Sequence, residues 1–178
     1  EDLFAPVWRS LKNRWVWLSV NLLTAFVSSR VVGVFEGSIE KLAALAALMP
    51  IVAGIGGNTG NQTITMIVRA LALGTVHPSN VFKLFAKEFS IAMINGLIFG
   101  ALMGTVAYLL YSNPMLGLVM AVAMLLNLLL AALMGVLIPL AQYRFGSDPA
   151  VGTSVLITAF TDSGGFFIFL GLATLLLL

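Results

Sequence analysis

An all-α integral membrane domain with five transmembrane helices is the fold class this sequence predicts, and three observations carry it. Hydrophobic residues make up 60% of the 178 residues and charged ones 9%, against about a quarter charged in an ordinary soluble domain. The apolar residues come in continuous runs rather than in alternation, which selects helices over a β-barrel. Two runs carry no charge over membrane-spanning lengths: Leu42–Val68, and the 55 residues between Glu88 and Arg144, where one crossing needs only about 20. The chain has no cysteine, which excludes disulfides, thiolate metal centres and cysteine catalysis. The net charge of +2 selects no partner and no nucleic acid is expected; the placement of the charges is more informative.

The first span is read over 15–34. Arg9, Lys12 and Arg14 make a short basic approach to it, as an interfacial helix or the end of a connecting one. Trp15 and Trp17 stand where an aromatic belt belongs, and Arg30 can snorkel to headgroups at the far end. Glu36, Glu40 and Lys41 read as a polar turn. The second span, 42–65, contains Pro50, which predicts a bend; its helix is expected to run past Arg69 to a stop at Gly74. The loop His77-Pro78-Ser79-Asn80 starts the next helix, with Lys83, Lys87 and Glu88 at its entrance. The 55 uncharged residues require two crossings, 88–111 and 115–140, turned at Ser112-Asn113-Pro114. Gln142 to Pro149 reads as a loop. Ser147 or Asp148 is expected to cap the fifth span, 150–178, with Pro149 at its first position. Gly96, Gly100 and Gly104 form a small-residue ridge for close helix packing. No internal repeat is strong enough to suggest an inverted-repeat transporter.

Five crossings put the termini on opposite sides. With the N-terminus inside, Arg9, Lys12, Arg14, Arg69, Lys83, Lys87 and Arg144 are cytoplasmic and only Arg30 and Lys41 lie outside. Seven against two sets the orientation N-in, C-out. A multi-pass protein of the cell's inner (plasma) membrane is expected, with residues 1–178 as a single transmembrane pore domain in the lipid bilayer. The chain opens Glu-Asp-Leu-Phe-Ala-Pro without an initiator Met or signal-peptide pattern, so it reads as the membrane domain of a longer protein.

Two polar stripes interrupt this background. Gly54, Gly57, Asn58, Asn61, Gln62 and Thr65 recur at three- and four-residue spacing and share one helix face. Carboxamides and bare backbone are costly in hydrocarbon unless they meet protein or water, so that face belongs to a helix interface or a wet path. Asp162 reads as the one carboxylate inside a predicted span, roughly 18 Å from Ala150 at about 1.5 Å per residue. Thr158 and Ser154 below it and Gly165 above it extend a polar face. Intramembrane acids usually mark ion or proton paths; the competing reading is a protonated Asp162 bonded to an Asn or Thr of a neighbouring helix.

No base lies at the depth of Asp162, because Arg30 and Arg69 are near the membrane surfaces. Its counter-charge is then a proton or a metal cation. Oxygen donors without Cys, and with His77 in a loop, suit Mg²⁺, Mn²⁺ or Ca²⁺. A twofold dimer with Asp162 near its axis would bring two carboxylates to one dication, and Mg²⁺ is commonly held through its water shell. Gly54 and Gly57 expose carbonyls, and Asn58 and Asn61 offer side-chain oxygens. Gly56 and Gly60 read equally as a helix-docking pair, with Asn58 and Gln62 as interhelical glue. Glu36 and Glu40 read as a solvated face, and Lys83 and Lys87 as headgroup contacts. Phe160, Phe166, Phe167 and Phe169 read mainly as packing or lipid contact. No nucleophilic triad, phosphate loop or paired acid and base is present, so the chain is not expected to be an enzyme.

The stretch P-x-x-x-G-x-G-G-N-x-G-N-Q-x-x-T-x-x-V-R-A-L-A-x-G, Pro50 to Gly74, resembles the second membrane span of the MgtE family of magnesium channels. T-D-S-G-G-F-F-x-F-L-G-L-A, Thr161 to Ala173, resembles that family's fifth span. The resemblance implies a homodimer with its pore along the dimer axis, lined by spans two and five. It implies an ion held by Asp162 and Asn61 with backbone oxygens around Gly54, Gly57 and Thr158, and regulatory cytosolic domains upstream. The expectation is a channel conducting hydrated Mg²⁺, with Mn²⁺ or Ca²⁺ as further ions that bind. A Na⁺- or H⁺-coupled Mg²⁺ carrier and a non-transporting membrane scaffold are the alternatives.

Overall fold

The computed structural model describes residues 3–146 and 152–178, and among them every regular element is a helix. In chain order these are α1 (Val7–Val34), α2 (Glu36–Lys41), α3 (Ala44–Ala72), α4 (Val81–Tyr111), α5 (Pro114–Arg144) and α6 (Thr153–Leu176). Four of them, α1, α4, α5 and α6, are long and apolar enough to cross a membrane. The 29-residue α3 matches them in length, and its Gly/Asn/Thr-rich middle sets it apart.

Several boundaries differ from expectation, each for a local reason. The basic approach is no separate element: α1 already runs from Val7. The Lys12 ammonium lies 5.2 Å from the Trp8 ring centre, and Trp8 meets Trp15 edge-on at 5.5 Å, so the basic turn is tied to the helix body. Glu36–Lys41 is a short helix rather than a turn. The helix expected to start after the His77–Asn80 loop does so at Val81, seven residues before the apolar span counted from 88, because charge ends an apolar run without ending a helix. The loop before it is folded around Asn80, whose Oδ1 accepts from His77 N–H at 2.8 Å while its Nδ2 donates to the Thr75 carbonyl at 2.9 Å.

Other signals appear as read. Asn113 caps α5, accepting from the N–H groups of Met115 and Leu116 at 3.1 and 3.2 Å, with Pro114 at the first position and Ser112 left-handed at φ +52°. At Gly74 (φ +69°) α3 stops in a Schellman arrangement: Thr75 N–H reaches the Ala70 carbonyl and Gly74 N–H that of Leu71. The cap expected at Ser147 or Asp148, with Pro149, lies outside the described residues. α6 follows Gly152, which has φ +76° and presses on the Trp17 ring, so a side chain there has neither backbone nor space.

Contact register gives the direction of each helix. Gly96, Gly100 and Gly104 of α4 face Leu125, Ala121 and Gly117 of α5, so these two run oppositely. Gly56, Gly60 and Thr63 of α3 meet Asn127, Ala131 and Gly135 of α5, so those run together. Gly57 and Gly60 meet Thr161 and Ile157 of α6, an antiparallel pair. Trp17 and Ser28 of α1 meet Gly152 and Ser163 of α6, a parallel pair. The five long helices therefore alternate in direction along the chain, and Arg9, Lys12, Arg14, Arg69, Lys83, Lys87 and Arg144 gather at one end of the bundle.

The core centres on α5, whose Leu116, Met120, Met124 and Leu128 are buried among α3, α4 and α6. Phe169 is fully buried there, while Phe160 and Phe167 are exposed. Leucines and phenylalanines such as Leu22, Leu23 and Phe26 on α1 and Leu97, Ile98 and Leu102 on α4 stay exposed. An apolar outer surface of this extent suits hydrocarbon rather than water.

Candidate metal centre

The α3 helix has two faces with different work. Leu45, Leu48, Val52, Gly56, Gly60, Thr63 and Ile67 are buried at helical spacing and seat α3 on α5 and α6. Gly54, Asn58 and Thr65 are exposed, and Gly57 and Asn61 are half-buried. The helix-docking reading of the Gly/Asn stretch therefore holds for one face, and the other face is left open. Gly56 and Gly60 dock helices; a Cβ on Gly60 would collide with Ile157, whereas one on Gly54 would meet nothing within 4 Å. Gln62 leaves the stripe and lines a cavity toward α4 instead.

On the open face the Asn61 Nδ2 donates to the Gly57 carbonyl at 3.0 Å, and the Thr65 hydroxyl donates to the Asn61 carbonyl at 2.9 Å. A carbonyl has two lone pairs, and within α3 that of Gly57 also receives the helical N–H of Asn61, so both are engaged by the same residue. This fixes Asn61 against its own helix with its Oδ1 not consumed by that bond.

Asp162 stands half-buried on α6, ten residues into a 24-residue helix. The residues on either side of it anchor α6 to two different neighbours. Thr161 is fully buried and donates to the Ile157 carbonyl at 2.9 Å, with its Oγ1 3.5 Å from where a Gly57 Cβ would stand. Ser163 shares a hydrogen bond of 2.8 Å with Ser28 of α1. These anchors set the rotation of α6, and the Gly57–Thr161 contact brings Asp162 to the level of the α3 polar stretch. Among the described residues no hydrogen bond or ion pair engages the Asp162 carboxylate, so the Asn- or Thr-bonded alternative finds no such bond. The Arg30 guanidinium lies over Phe26, 5.6 Å from its ring centre.

Thr158 is half-buried, and its carbonyl accepts weakly from Thr161 at 3.3 Å. Gly165 departs from the expected polar face and turns to Asn127. No three His, Cys, Asp or Glu residues gather among the described residues. A cation beside Asp162 would thus draw its remaining ligands from neutral oxygens or from a second copy.

A family model described as a divalent cation transporter, MgtE, matches residues 49–172, which takes in nearly all of α3 and most of α6. The chain belongs to the MgtE family. It is 35% identical over 161 residues to the magnesium transporter MgtE of Thermus thermophilus, covering 90% of this chain and 36% of that protein. It is 30% identical over 162 residues to the Bacillus subtilis magnesium transporter MgtE (91% and 36%). The Enterococcus faecalis MgtE is 28% identical over 167 residues (94% and 37%). The chain thus spans a little over a third of the length of the curated relatives it matches. MgtE proteins are transporters rather than enzymes, as expected here.

Two polar residues of this MgtE chain escaped the sequence reading. Asn127, fully buried in α5, donates from Nδ2 to the Val52 carbonyl at 2.9 Å and lies against both Gly56 and Gly165. Its Oδ1 is buried without a partner among the described residues. It is the one carboxamide between Met115 and Leu140, and that isolation was a usable signal. Glu88, placed at a helix entrance, is instead buried in α4 and accepts from the Thr63 hydroxyl at 3.3 Å. Asp162 is therefore not the one carboxylate inside the helices, because α4 starts seven residues before Glu88.

Proposed function

We propose that this chain forms the pore of a Mg²⁺ channel as a symmetric pair, with α3 as a fifth membrane crossing and the N-terminus inside. The observation that carries this reading is an unpartnered, half-buried carboxylate midway along α6, level with an exposed Gly/Asn face of α3. Such a face is costly against lipid, and a second copy would cover it while bringing a second Asp162. Two carboxylates balance one dication. Asp162, Asn61 and Asn58, with the carbonyls of Gly54, Gly57 and Thr158, supply hard oxygens suited to Mg²⁺ held through its water shell. Mn²⁺ and Ca²⁺ bind the same donors.

Conduction on this reading involves no bond making. The ion moves down its electrochemical gradient across the plasma membrane, and regulatory domains upstream in the full-length protein govern opening. A charge-assisted contact contributes about 1.5–3 kcal/mol, so Asp162→Asn is expected to cut Mg²⁺ flux into proteoliposomes by about tenfold or more. Flux at the wild-type level in that variant would overturn the site. With the voltage clamped, flux that ignores an imposed Na⁺ or pH gradient supports a channel, and flux that follows either gradient means a coupled carrier.

A further inference from the structure

A cavity of about 100 Å³ lies among α3, α4 and α5, on the flank of α3 that carries Thr59, Gln62 and Thr63. Glu88, Thr63, Thr59, Gln62 and Asn95 bring oxygens to its wall, and Met66, Ile91, Ala92 and Ala132 make the rest of it apolar. Glu88 is only 6% exposed. Its carboxylate receives the Thr63 hydroxyl at 3.3 Å, long for a hydroxyl meeting a carboxylate, where about 2.5–2.7 Å is usual. That hydroxyl is equally 3.3 Å from the Thr59 carbonyl, so it is shared. No base among the described residues pairs with Glu88; the adjacent Lys87 lines a different cavity, with Lys83, Asn80 and Thr75.

A buried charge with one shared, stretched hydrogen bond calls for a counter-ion, since an unpaired buried charge costs several kcal/mol. The donor set says which kind. Hydroxyls, carboxamides and one carboxylate are hard ligands, and among the described residues no second acid or imidazole lines the cavity. One negative charge neutralises one positive charge, whereas a dication would leave a buried excess. The volume equals about three waters at roughly 30 Å³ each, room for a small ion and part of its hydration.

We propose that Glu88, Thr63, Gln62 and Asn95 bind one Na⁺ ion, at a site separate from Asp162. Thr63 also packs on Gly135 of α5, where an added Cβ would stand 2.9 Å from its own Cβ. An ion that engages Thr63 therefore secures the seat of α3 from behind its open face.

The test is the melting temperature of the purified chain in detergent, titrated with NaCl against choline chloride at constant ionic strength. Wild type and Asp162→Asn are expected to melt higher in Na⁺, because a ligand bound only to the folded state stabilises it by mass action. Glu88→Gln, which keeps the shape and loses the charge, is expected to lose that shift. Asn95→Ala keeps Glu88 intact and is expected to raise the half-saturating Na⁺ concentration severalfold, which decides the matter if Glu88→Gln fails to fold. A wild type that melts alike in Na⁺ and choline overturns the site, as does an undiminished Na⁺ shift in Glu88→Gln or in Asn95→Ala. Indifference to Na⁺ with a pH-dependent midpoint abolished by Glu88→Gln gives Glu88 a proton instead and also overturns it. Retention of the Na⁺ shift in Asp162→Asn separates this outcome from the fate of the pore reading.

Discussion

Asn127 and Asp162 are both polar residues midway along apolar helices, and they are held in opposite ways. The carboxamide is sealed among α3, α5 and α6, with one hydrogen bond to the Val52 carbonyl and two glycines against it. Asn127→Ala removes that bond and empties the space beside Gly56 and Gly165. It is expected to destabilise the bundle by about 1–3 kcal/mol, read as a lower melting temperature in detergent. The half-buried Asp162 carries no such structural duty among the described residues. Asp162→Asn is therefore expected to melt like wild type without Mg²⁺ and to lose the ion-induced rise, which reaches about 2.7 kcal/mol at a hundredfold excess over Kd. Asp162 and Asn61 were legible in the sequence as polarity out of place. Asn127 was legible by the same rule, as a lone amide in an apolar run. Glu88 was not, because it sits beside Lys87 and its burial depends on where α3 packs.

The glycines separate packed from open helix faces. Gly100 and Gly104 lie so near α5 that an added Cβ would stand 2.8 Å from the Ala121 carbonyl oxygen and 2.6 Å from that of Gly117. Backbone must move to admit it, so Gly100→Leu is expected to cost about 1–3 kcal/mol or more and to broaden or abolish cooperative melting. Gly54, with open space around it, is expected to accept alanine with melting unchanged or raised, since alanine favours a helix by about 1 kcal/mol. A fall in Mg²⁺ flux without loss of stability in Gly54→Ala would place that face on the conduction path. The ridge of Gly96, Gly100 and Gly104 was readable from spacing alone, and the turn at Ser112-Asn113-Pro114 and the stop at Gly74 from residue type. The start of α4 after the His77–Asn80 loop was readable too; the burial of Glu88 was not, because charge marks the edge of an apolar run and says nothing of depth inside the packed helix.

At the scale of the molecule, alternation of the long helices puts seven basic residues at one end and Arg30, Glu36, Glu40 and Lys41 at the other. If that basic end is cytoplasmic, a cysteine at Ser79 should react with an impermeant maleimide only from inside. One at Gly37, which has open space around it, should react only from outside. The chain has no native cysteine, so each label reports one position. The same background makes Asn58→Cys a probe of pairing: a disulfide-linked dimer is expected for it and none for Leu22→Cys on α1. A monomer under both conditions would leave the exposed α3 face without its second copy.

The Ser28–Ser163 hydrogen bond joins α1 to the residue directly after Asp162, and among the described residues α6 is the long helix on which α1 chiefly rests. A displacement of the basic end of α1 therefore meets α6 first at Gly152, against Trp17, and again at the acid's own turn through the serine pair. In this architecture the leading helix lies along α6 as a splint, and the two serine hydroxyls fasten it one residue from Asp162.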